Sequence, residues 1–240
     1  MNPMTIKVLK SFHEIDRSRE ELRRMGVSSV TSRSIRVMRR LGILRGINVG
    51  DHVKSWDILE TTRFLQNCLP KDAPILDIGA YASEILCVLH RLGYTSLTGV
   101  DLNPTLPSMP HPESIRYVVS DFLQTPFPDG SFAAITAMSV IEHGFQSDRL
   151  LKEISRLLRP GGYFIASFDY WPEKISTPGI MLFGSEWTIF SRDELRQFIE
   201  DARTYGFSSD DKGSLDAGEK VIHWGGKEYT FGWMALRRNA

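Results

Sequence analysis

Two aspartates close apolar runs in ILDIGAYASEILCVLHRLGYTSLTGVD, the segment from residue 75 to 101. Asp77 and Gly79 follow the first run and Asp101 ends the second, with an apolar pattern of helical period between them. An acid at a strand end can hold the two hydroxyls of a ribose through charge-assisted hydrogen bonds. Loop amides ahead of a helix N-terminus complete such a site. The segment therefore predicts a strand–loop–helix–strand unit that binds a nucleoside-type ligand.

The glycine content of the loop narrows the choice of ligand. A dinucleotide-binding loop has the pattern GxGxxG, whose second glycine lets the backbone approach a pyrophosphate. Here the loop reads GAYASE, with Tyr81 at the second glycine position and Glu84 at the start of the helix. A bulky ring hinders the close approach of a pyrophosphate, and an acid repels its negative charge. They are compatible with a ligand that carries a positive sulfonium and no phosphate.

Three later segments extend the pattern. Asp121 and Phe122 follow a third strand-like run, where an acid could bond the amino group of an adenine and an aromatic ring could cover its face. FAAITAMSVIEH reads as a strand that runs into a short loop. In LLKEISRLLRPGGYFIAS, the residues Pro160-Gly161-Gly162 predict a tight turn that leads into a fifth strand.

With these residues the chain resembles the class I S-adenosylmethionine-dependent methyltransferases. The shared landmarks are an LDxG loop, an acid ending the second strand, a D-F/L pair after the third, an EH segment after the fourth, and LxPGG before the fifth. The resemblance covers roughly residues 55 to 238. The D-I-G-A-Y-x-S-E loop and the segments DYWP and WTIFSRDEL are similar to a bacterial branch of type 11-like methyltransferases.

The resemblance implies S-adenosyl-L-methionine as cofactor, leaving as S-adenosyl-L-homocysteine, and it implies a set of cofactor-binding residues. Asp77 and Gly79 would shape the loop under the methionine moiety, and Asp101 would take the ribose hydroxyls. The other implied positions are Ala80 and Tyr81 in the loop, Leu102 against the adenine, Asp121 at its amino group, Phe122 along its ring, and Met138 and Ser139 near the methionine amino group.

Candidate catalytic residues follow the fourth and fifth strands. Methyl transfer needs an in-line arrangement of acceptor, methyl group and sulfonium, and a hydroxyl acceptor must also lose a proton. His143, with an ordinary pKa of about 6.5, suits proton removal, although Glu142-His143 is also a structural pair in the family. Asp169 and Tyr170, followed by Trp171, leave the fifth strand and could contact the acceptor. Ordinary loop packing is the alternative.

These residues need a sheet to bring them together. Residues 1–70 look helical without strand alternation, with helices from Asp16, from Thr31 as N-cap, and after Asp51. The remaining predicted strands are Pro74–Ile78, Ser96–Val100, Ile115–Val119, Phe132–Met138 and Tyr163–Phe168, and the helices are Ser83–Leu92, Asp148–Leu158 and Ser191–Tyr205. A hairpin is predicted around Gly225-Gly226.

This element order predicts an α/β fold. We expect a doubly wound, mostly parallel, seven-stranded Rossmann-like sheet with a C-terminal antiparallel hairpin. Residues 1–70 would form an N-terminal helical cap or lid, and residues 71–240 the Rossmann-like domain.

Composition limits the classes of protein. The 240 residues are 42% apolar and 24% charged, as in ordinary globular domains. No apolar run reaches the ~18 residues of a membrane span, and the N-terminus lacks a signal-peptide core, so we expect a cytoplasmic protein without a membrane partner. The histidines have no metal-ligand spacing, and Cys68 and Cys87 fit buried thiols, so we predict no metal site.

Charge is unevenly distributed although the formal net charge is zero. Residues 1–46 carry eleven Lys/Arg and four Asp/Glu, a net charge of +7. This segment either meets an anionic partner or lies against an acidic body. Its few aromatic residues argue against nucleic acid.

We therefore expect O- or N-methylation of a small-molecule or carbohydrate-like acceptor, whose negative charge the basic segment would suit. A homodimer is left open. One alternative is a non-catalytic protein, which either binds the cofactor or a nucleotide through a degenerate glycine loop or binds RNA through the Arg-rich N-terminal segment. Another is an NAD-type oxidoreductase, which the missing GxGxxG and the LRPGG segment oppose.

Overall fold

The computed structural model describes residues 5–182, 184–208 and 213–240. The strands are β1 Thr5–Val8, β2 Ile75–Ile78, β3 Leu97–Asp101, β4 Ile115–Val119, β5 Phe132–Met138, β6 Leu158–Tyr170, β7 Met181–Leu182, β8 Ser185–Glu186, β9 Phe207–Ser208, β10 Ile222–Trp224 and β11 Lys227–Arg238. The α-helices are α1 Phe12–Arg24, α2 Arg33–Arg40, α3 Ser55–Cys68, α4 Ile85–Arg91, α5 Ser147–Leu157 and α6 Arg192–Thr204.

A mostly parallel sheet runs through the molecule in the order β1-β11-β6-β5-β2-β3-β4, which confirms the predicted α/β class. The strands from β2 to β6 pair in parallel, and β11 lies antiparallel to β6. The predicted hairpin is confirmed, because β10 pairs with β11 on either side of Gly225-Gly226. The chain leaves β2 for β3 and returns beside β2 as β5, and ligands bind at such switch points in open α/β sheets.

The N-terminal segment contains a strand, so the prediction that residues 1–70 have no strand was wrong. β1 pairs antiparallel with β11, from Thr5 opposite Ala235 to Val8 opposite Gly232. Ile6 and Val8 are buried while the intervening Lys7 is exposed, as the two-residue period of a strand requires. The segment is too short to show this period clearly without its partner.

The N-terminal helices otherwise lie near their predicted positions. α1 begins at Phe12, four residues before the predicted start. α3 follows a short 3₁₀ turn in which the Asp51 carboxylate accepts a hydrogen bond from Val53 N–H. The predicted Thr31 cap was wrong, since the Ser32 hydroxyl accepts the hydrogen bond from Ile35 N–H at 3.4 Å.

Two apolar layers cover the two faces of the sheet. One contains the buried sides of α1, α3 and α4, and the other contains those of α5 and α6. α6 begins with a capping box formed by Ser191 and Glu194, as the S-x-x-E pattern at the start of this predicted helix indicates. Pro160-Gly161-Gly162 lie in a bulge of β6, because Leu158 pairs with Phe132 and Tyr163 already pairs with Ala134.

Candidate active site

The loop after β2 is held in one conformation by its glycine. Gly79 has φ +69°, and a Cβ at this position would lie 2.3 Å from Cγ2 of Val140, the residue that follows β5 by two positions. Only glycine combines this backbone with this approach. Ala80 N–H donates to the carbonyl of Val100 at 3.1 Å, which carries the loop across towards the end of β3.

The acid at the end of β3 faces this loop. The Asp101 carboxylate accepts hydrogen bonds from Tyr81 N–H at 3.0 Å and from Asn103 N–H at 2.8 Å. The next residue, Leu102, has an apolar side chain that is 66% exposed. The structure therefore brings together an oriented, partly exposed carboxylate and an uncovered apolar surface, which fit a ribose diol and the face of a base.

Asp121 and Phe122 lie beyond the end of β4. Asp121 Oδ1 accepts from Leu123 N–H at 2.8 Å, and its other oxygen lies 3.7 Å from the Arg149 guanidinium. Phe122 is partly buried and packs against the apolar layer of α5 and α6. The Asp121 carboxylate keeps hydrogen-bonding capacity at the same edge of the sheet as Asp101.

Asp77 lies below the loop and is completely buried. Its Oδ1 accepts a hydrogen bond from the Thr136 hydroxyl at 2.7 Å. Burial raises the pKa of Asp77 from 3.8 to about 7. The structure therefore places this predicted residue in the floor of the site.

Lys54 reaches the end of β5 from the N-terminal segment. Its ammonium group donates to the Ser139 hydroxyl and lies 3.7 Å from the centre of the Phe231 ring, a cation–π distance. Ser139 has φ +54°, and its N–H donates to the carbonyl of Ser167 at 3.0 Å. The neighbouring Met138 sulfur lies 3.3 Å from the Thr61 hydroxyl of α3. The site thus combines residues that precede the parallel strands with residues at the carboxyl end of β5.

Three carboxyl groups are buried around Lys54. The Ser167 hydroxyl donates to Asp57 at 2.7 Å, and the indole N–H of Trp187 donates to Asp169 at 2.7 Å. Burial raises the pKa of Asp57 to about 6 and also raises that of Asp169, while the charge of Lys54 opposes both shifts.

Glu142 is the third buried carboxyl group near Lys54, and it differs from Asp57 and Asp169 in its hydrogen bonding. It is only 1% exposed, and neither carboxylate oxygen has a hydrogen-bond partner in another described residue. Burial, and after it the nearby Asp169, raises the pKa of Glu142 well above its ordinary value. An unsatisfied buried carboxyl is costly for stability, which makes it a candidate for contact with a bound molecule.

His143 and Tyr170, the predicted catalytic residues besides Asp169, lie in different surroundings. His143 adjoins Glu142, and burial together with Lys54 lowers its pKa to about 4, so its imidazole is a weaker base than an exposed histidine. Tyr170 is fully buried in the opposite apolar layer, and its hydroxyl donates to the Leu215 carbonyl at 2.6 Å. Because side chains alternate along β6, Asp169 joins the acid group and Tyr170 does not.

Sequence reasoning missed a buried ion pair at the end of the loop that follows β2. Arg19 of α1 and Glu84, directly before α4, are both buried and form two hydrogen bonds of 2.8 Å. Glu84 also accepts from Ser29 N–H at 2.6 Å. The signal was the position of Arg19 on the apolar stripe of α1, between Ile15 and Leu22. Lys54 and Asp57 had no comparable signal.

Comparison with known proteins assigns this arrangement to a class. Residues 76–166 match the family described as "Methyltransferase domain". A cycloartenol-C-24-methyltransferase of Arabidopsis thaliana is 30% identical over 93 residues, which are 39% of this chain and 27% of that protein. A sterol 24-C-methyltransferase of Gibberella zeae is 38% identical over 52 residues, 22% of this chain and 14% of that protein. The chain thus spans about a quarter or less of these relatives.

Solved structures show the same fold over more of the chain. A geranyl diphosphate C-methyltransferase of Streptomyces coelicolor A3(2), solved with S-adenosyl-L-homocysteine, has a TM-score of 0.59 at 16% identity, covering 92% of this chain and 98% of that one. A SAM-dependent methyltransferase of Methanosarcina mazei has a TM-score of 0.55 at 18% identity, covering 73% and 97%.

The fold is therefore that of the class I S-adenosylmethionine-dependent methyltransferases. The match to the methyltransferase-domain family covers residues 76–166, which include α4, α5 and the strands β3 to β5.

Proposed function

We propose that this protein is an S-adenosylmethionine-dependent methyltransferase that methylates a hydroxyl or amino group of a small-molecule acceptor. The observation that carries the proposal is the pairing of a glycine-shaped loop with the Asp101 carboxylate, next to a buried carboxyl that no other described residue satisfies. The first two suit a nucleoside cofactor, and the third suits an acceptor that carries a proton.

The residues at the switch point fit the cofactor. Asp101 would hold the ribose, Leu102 would cover one face of the adenine, and Asp121 would accept from its amino group. The loop Ala80–Tyr81 and the backbone of Met138–Ser139 would enclose the methionine end. When bound, S-adenosylmethionine supplies a methyl group activated by a positive sulfonium.

Glu142 is the better candidate for the proton acceptor. Burial raises the pKa of Glu142, so its carboxylate is a stronger base than that of an exposed glutamate, whereas the pKa of His143 is lowered to about 4. Lys54 would limit the rise in the pKa of Glu142 and orient Ser139. Asp169, held by Trp187, would accept a second hydrogen bond from the acceptor. His143 remains the alternative base.

An open groove outside Trp187 supports a carbohydrate-like, anionic acceptor. The groove has a volume of about 770 Å³, and its lining includes Lys220, Trp224 and Lys227. The Trp187 indole contacts Asp169 through its N–H, and its ring centre lies 5.4 Å from that of Trp224. An aromatic surface suits the face of a sugar, and the two ammonium groups suit a carboxylate or phosphate on it.

Calorimetry with S-adenosylmethionine and S-adenosylhomocysteine tests cofactor binding. Transfer of a labelled methyl group to a panel of sugar acids, amines and lipids then tests the acceptor. No heat with either nucleoside would refute the proposal. Product NMR identifies the methylated atom, and a new carbon–carbon bond would instead show C-methylation, the reaction for which the cycloartenol and geranyl diphosphate methyltransferases are named.

Glu142→Gln tests the proton acceptor. We expect turnover to fall by ~10² or more with an unchanged dissociation constant for the cofactor. Glu200→Gln is the matched control, because that side chain is 62% exposed on α6. Full turnover in Glu142→Gln, together with a loss in His143→Ala, would return the role to the histidine.

The division at residue 70, the bacterial branch, the homodimer and the cytoplasmic location stay predictions. In the described ranges, no helix is long and apolar enough to cross a membrane. No group of three potential metal ligands among His, Cys, Asp and Glu was found in that same part of the chain.

A further inference from the structure

The helix α2 exposes its apolar side to solvent. With 100° between successive residues, the side chains at 35, 37, 38 and 41 lie within one arc and the arginines lie on the other side. An amphipathic helix on a protein normally buries its apolar arc. Here the apolar side chains face solvent, with exposures between 36% and 67% across α2 and the loop after it; they are Ile35, Val37, Met38, Leu41, Ile43 and Leu44.

The polar side of α2 is hydrogen-bonded to the chain segments that flank the helix. Arg36 donates to the carbonyls of Thr31 at 3.0 Å and Gly50 at 2.5 Å, and Arg39 donates to the carbonyl of Ile47. Both arginines are partly buried by these contacts. The orientation is therefore fixed by hydrogen bonds, and the apolar arc remains uncovered by the described residues.

Further arginines border the uncovered arc. Arg33, Arg40 and Arg45 are exposed, and the sequence between residues 23 and 50 contains no aspartate or glutamate. We call residues 33–45 the α2 surface. It combines exposed apolar side chains with exposed arginines that have no acidic neighbour in the sequence from residue 23 to residue 50.

We propose that the α2 surface binds the face of an anionic lipid bilayer. Aliphatic side chains at the interface between headgroups and acyl chains, with arginines at the lipid phosphates, are the pattern of helices that lie in the membrane plane. This contact is peripheral and needs no membrane span. The sequence-based expectation of no membrane partner rested on the absence of a span, so it missed this possibility.

Two other occupants fit the α2 surface less well. Single-stranded nucleic acid stacks on aromatic rings, and residues 33–45 contain none. A second copy of the same surface would bring like charges together without acids to compensate.

The α2 surface is connected to the cofactor loop. Gly50, whose carbonyl accepts from Arg36, donates its N–H to the Ala82 carbonyl at 2.8 Å. Thr31, at the other end of the segment, donates its N–H to the Val49 carbonyl at 3.0 Å. Bilayer contact through α2 would therefore place the loop of residues 79–84 near the lipid surface.

Vesicle co-sedimentation of the full chain tests the proposal. The probes are vesicles of phosphatidylcholine with 30% phosphatidylglycerol, and vesicles of phosphatidylcholine alone. We expect the chain to bind the anionic vesicles and to be released by salt. Arg33→Glu with Arg40→Glu should weaken binding by at least roughly 30-fold, since each arginine near an anionic surface contributes about fivefold and the charge reversal adds repulsion.

The apolar contribution is tested with Leu41→Glu and Ile43→Glu. Both side chains are about two-thirds exposed, so these changes should leave folding intact, as circular dichroism would verify. Arg196→Glu, at an exposed position of α6, is the control for net charge and should bind vesicles like the unchanged protein. The α2 variants should retain the affinity of the unchanged chain for S-adenosylhomocysteine, which separates this test from that of the proposed function.

The possible outcomes are distinct. Failure to bind anionic vesicles, or binding that both α2 double variants preserve, would overturn the proposal. So would sedimentation velocity that shows a dimer lost in Leu41→Glu with Ile43→Glu, because the surface would then join two copies. Equal binding by single-stranded RNA, abolished by the same variants, would favour a general anion surface instead.

Discussion

Replacing Asp77 with asparagine should remove a pH-dependent cost of folding. Burial raises the pKa of Asp77 from 3.8 to about 7 in the folded protein, and in the unfolded chain the pKa returns to its ordinary value. The folded state therefore binds this proton more tightly. The contribution of Asp77 to stability therefore falls as the pH rises from about 4 to about 7, whereas the contribution of a salt-bridged aspartate rises with pH. Asparagine has no proton to lose, and its carbonyl oxygen can still accept from Thr136.

The size of the effect follows from the two pKa values. Linkage gives a cost of roughly 2 kcal/mol at pH 5 and roughly 4 kcal/mol at pH 8. The stability of Asp77→Asn relative to the unchanged protein should therefore improve by roughly 2 to 3 kcal/mol between these pH values. Any constant effect of the amide cancels in this difference.

Urea unfolding at pH 5 and pH 8, followed by tryptophan fluorescence, measures this quantity. The chain has five tryptophans, and two of them, Trp187 and Trp233, are almost fully buried, so unfolding should change the signal. Asp193→Asn is the control, because its side chain is 93% exposed and should show little pH-dependent difference. The same relative stability of Asp77→Asn at both pH values would show that Asp77 titrates normally, and the reasoning from burial would fail.

Three further substitutions test the site and its support. Asp101→Ala should weaken S-adenosylmethionine binding by about 1.5 to 3 kcal/mol, the range for hydrogen bonds to a charged group, and an unchanged dissociation constant in calorimetry would contradict the ribose role. Glu84→Ala should lower the free energy of unfolding by about 3 to 5 kcal/mol, because Arg19 is left as a buried unpaired charge. Arg19→Met in the same chain should recover much of this loss, and no recovery would count against the ion pair. Gly79→Ala should cost about 1 to 3 kcal/mol by denaturant unfolding, since its Cβ would press on Val140, and a neutral result would contradict the close approach.

The parallel part of the sheet could be predicted because its strands carry their signal locally. The bounds of β4 and β5 agree with the predicted Ile115–Val119 and Phe132–Met138, since buried strands are short apolar runs between turn residues. The α6 cap was predictable for the same reason, because a capping box spans only four residues. Elements whose structure depends mainly on residues close in sequence could therefore be predicted from the sequence alone.

The missed features depend on partners far along the chain. β1 is four residues long, and its pairing partner lies about 230 residues away, so no local pattern defines it. Asp57 accepts a hydrogen bond from the Ser167 hydroxyl, which lies 110 residues away in sequence. Asp169 was predicted as a site residue, but its hydrogen bond from Trp187 was not. The strand-end acids were predictable because the topology alone brings them together. The buried acids around Lys54 required the packing of α3 against the sheet.

The pairing of β1 with β11 has a consequence for synthesis on the ribosome. Residues 5–8 leave the ribosome more than 220 residues before residues 232–235, whose backbone groups they pair with. Until β11 has been translated, β1 has no place in the sheet, and the edge of β6 that β11 will cover also stays open. Pairing at such sequence separation is slow, and open strand edges invite association with other chains. Completion of this sheet must therefore wait for β11, and nascent chains halted before β11 should be especially prone to aggregate.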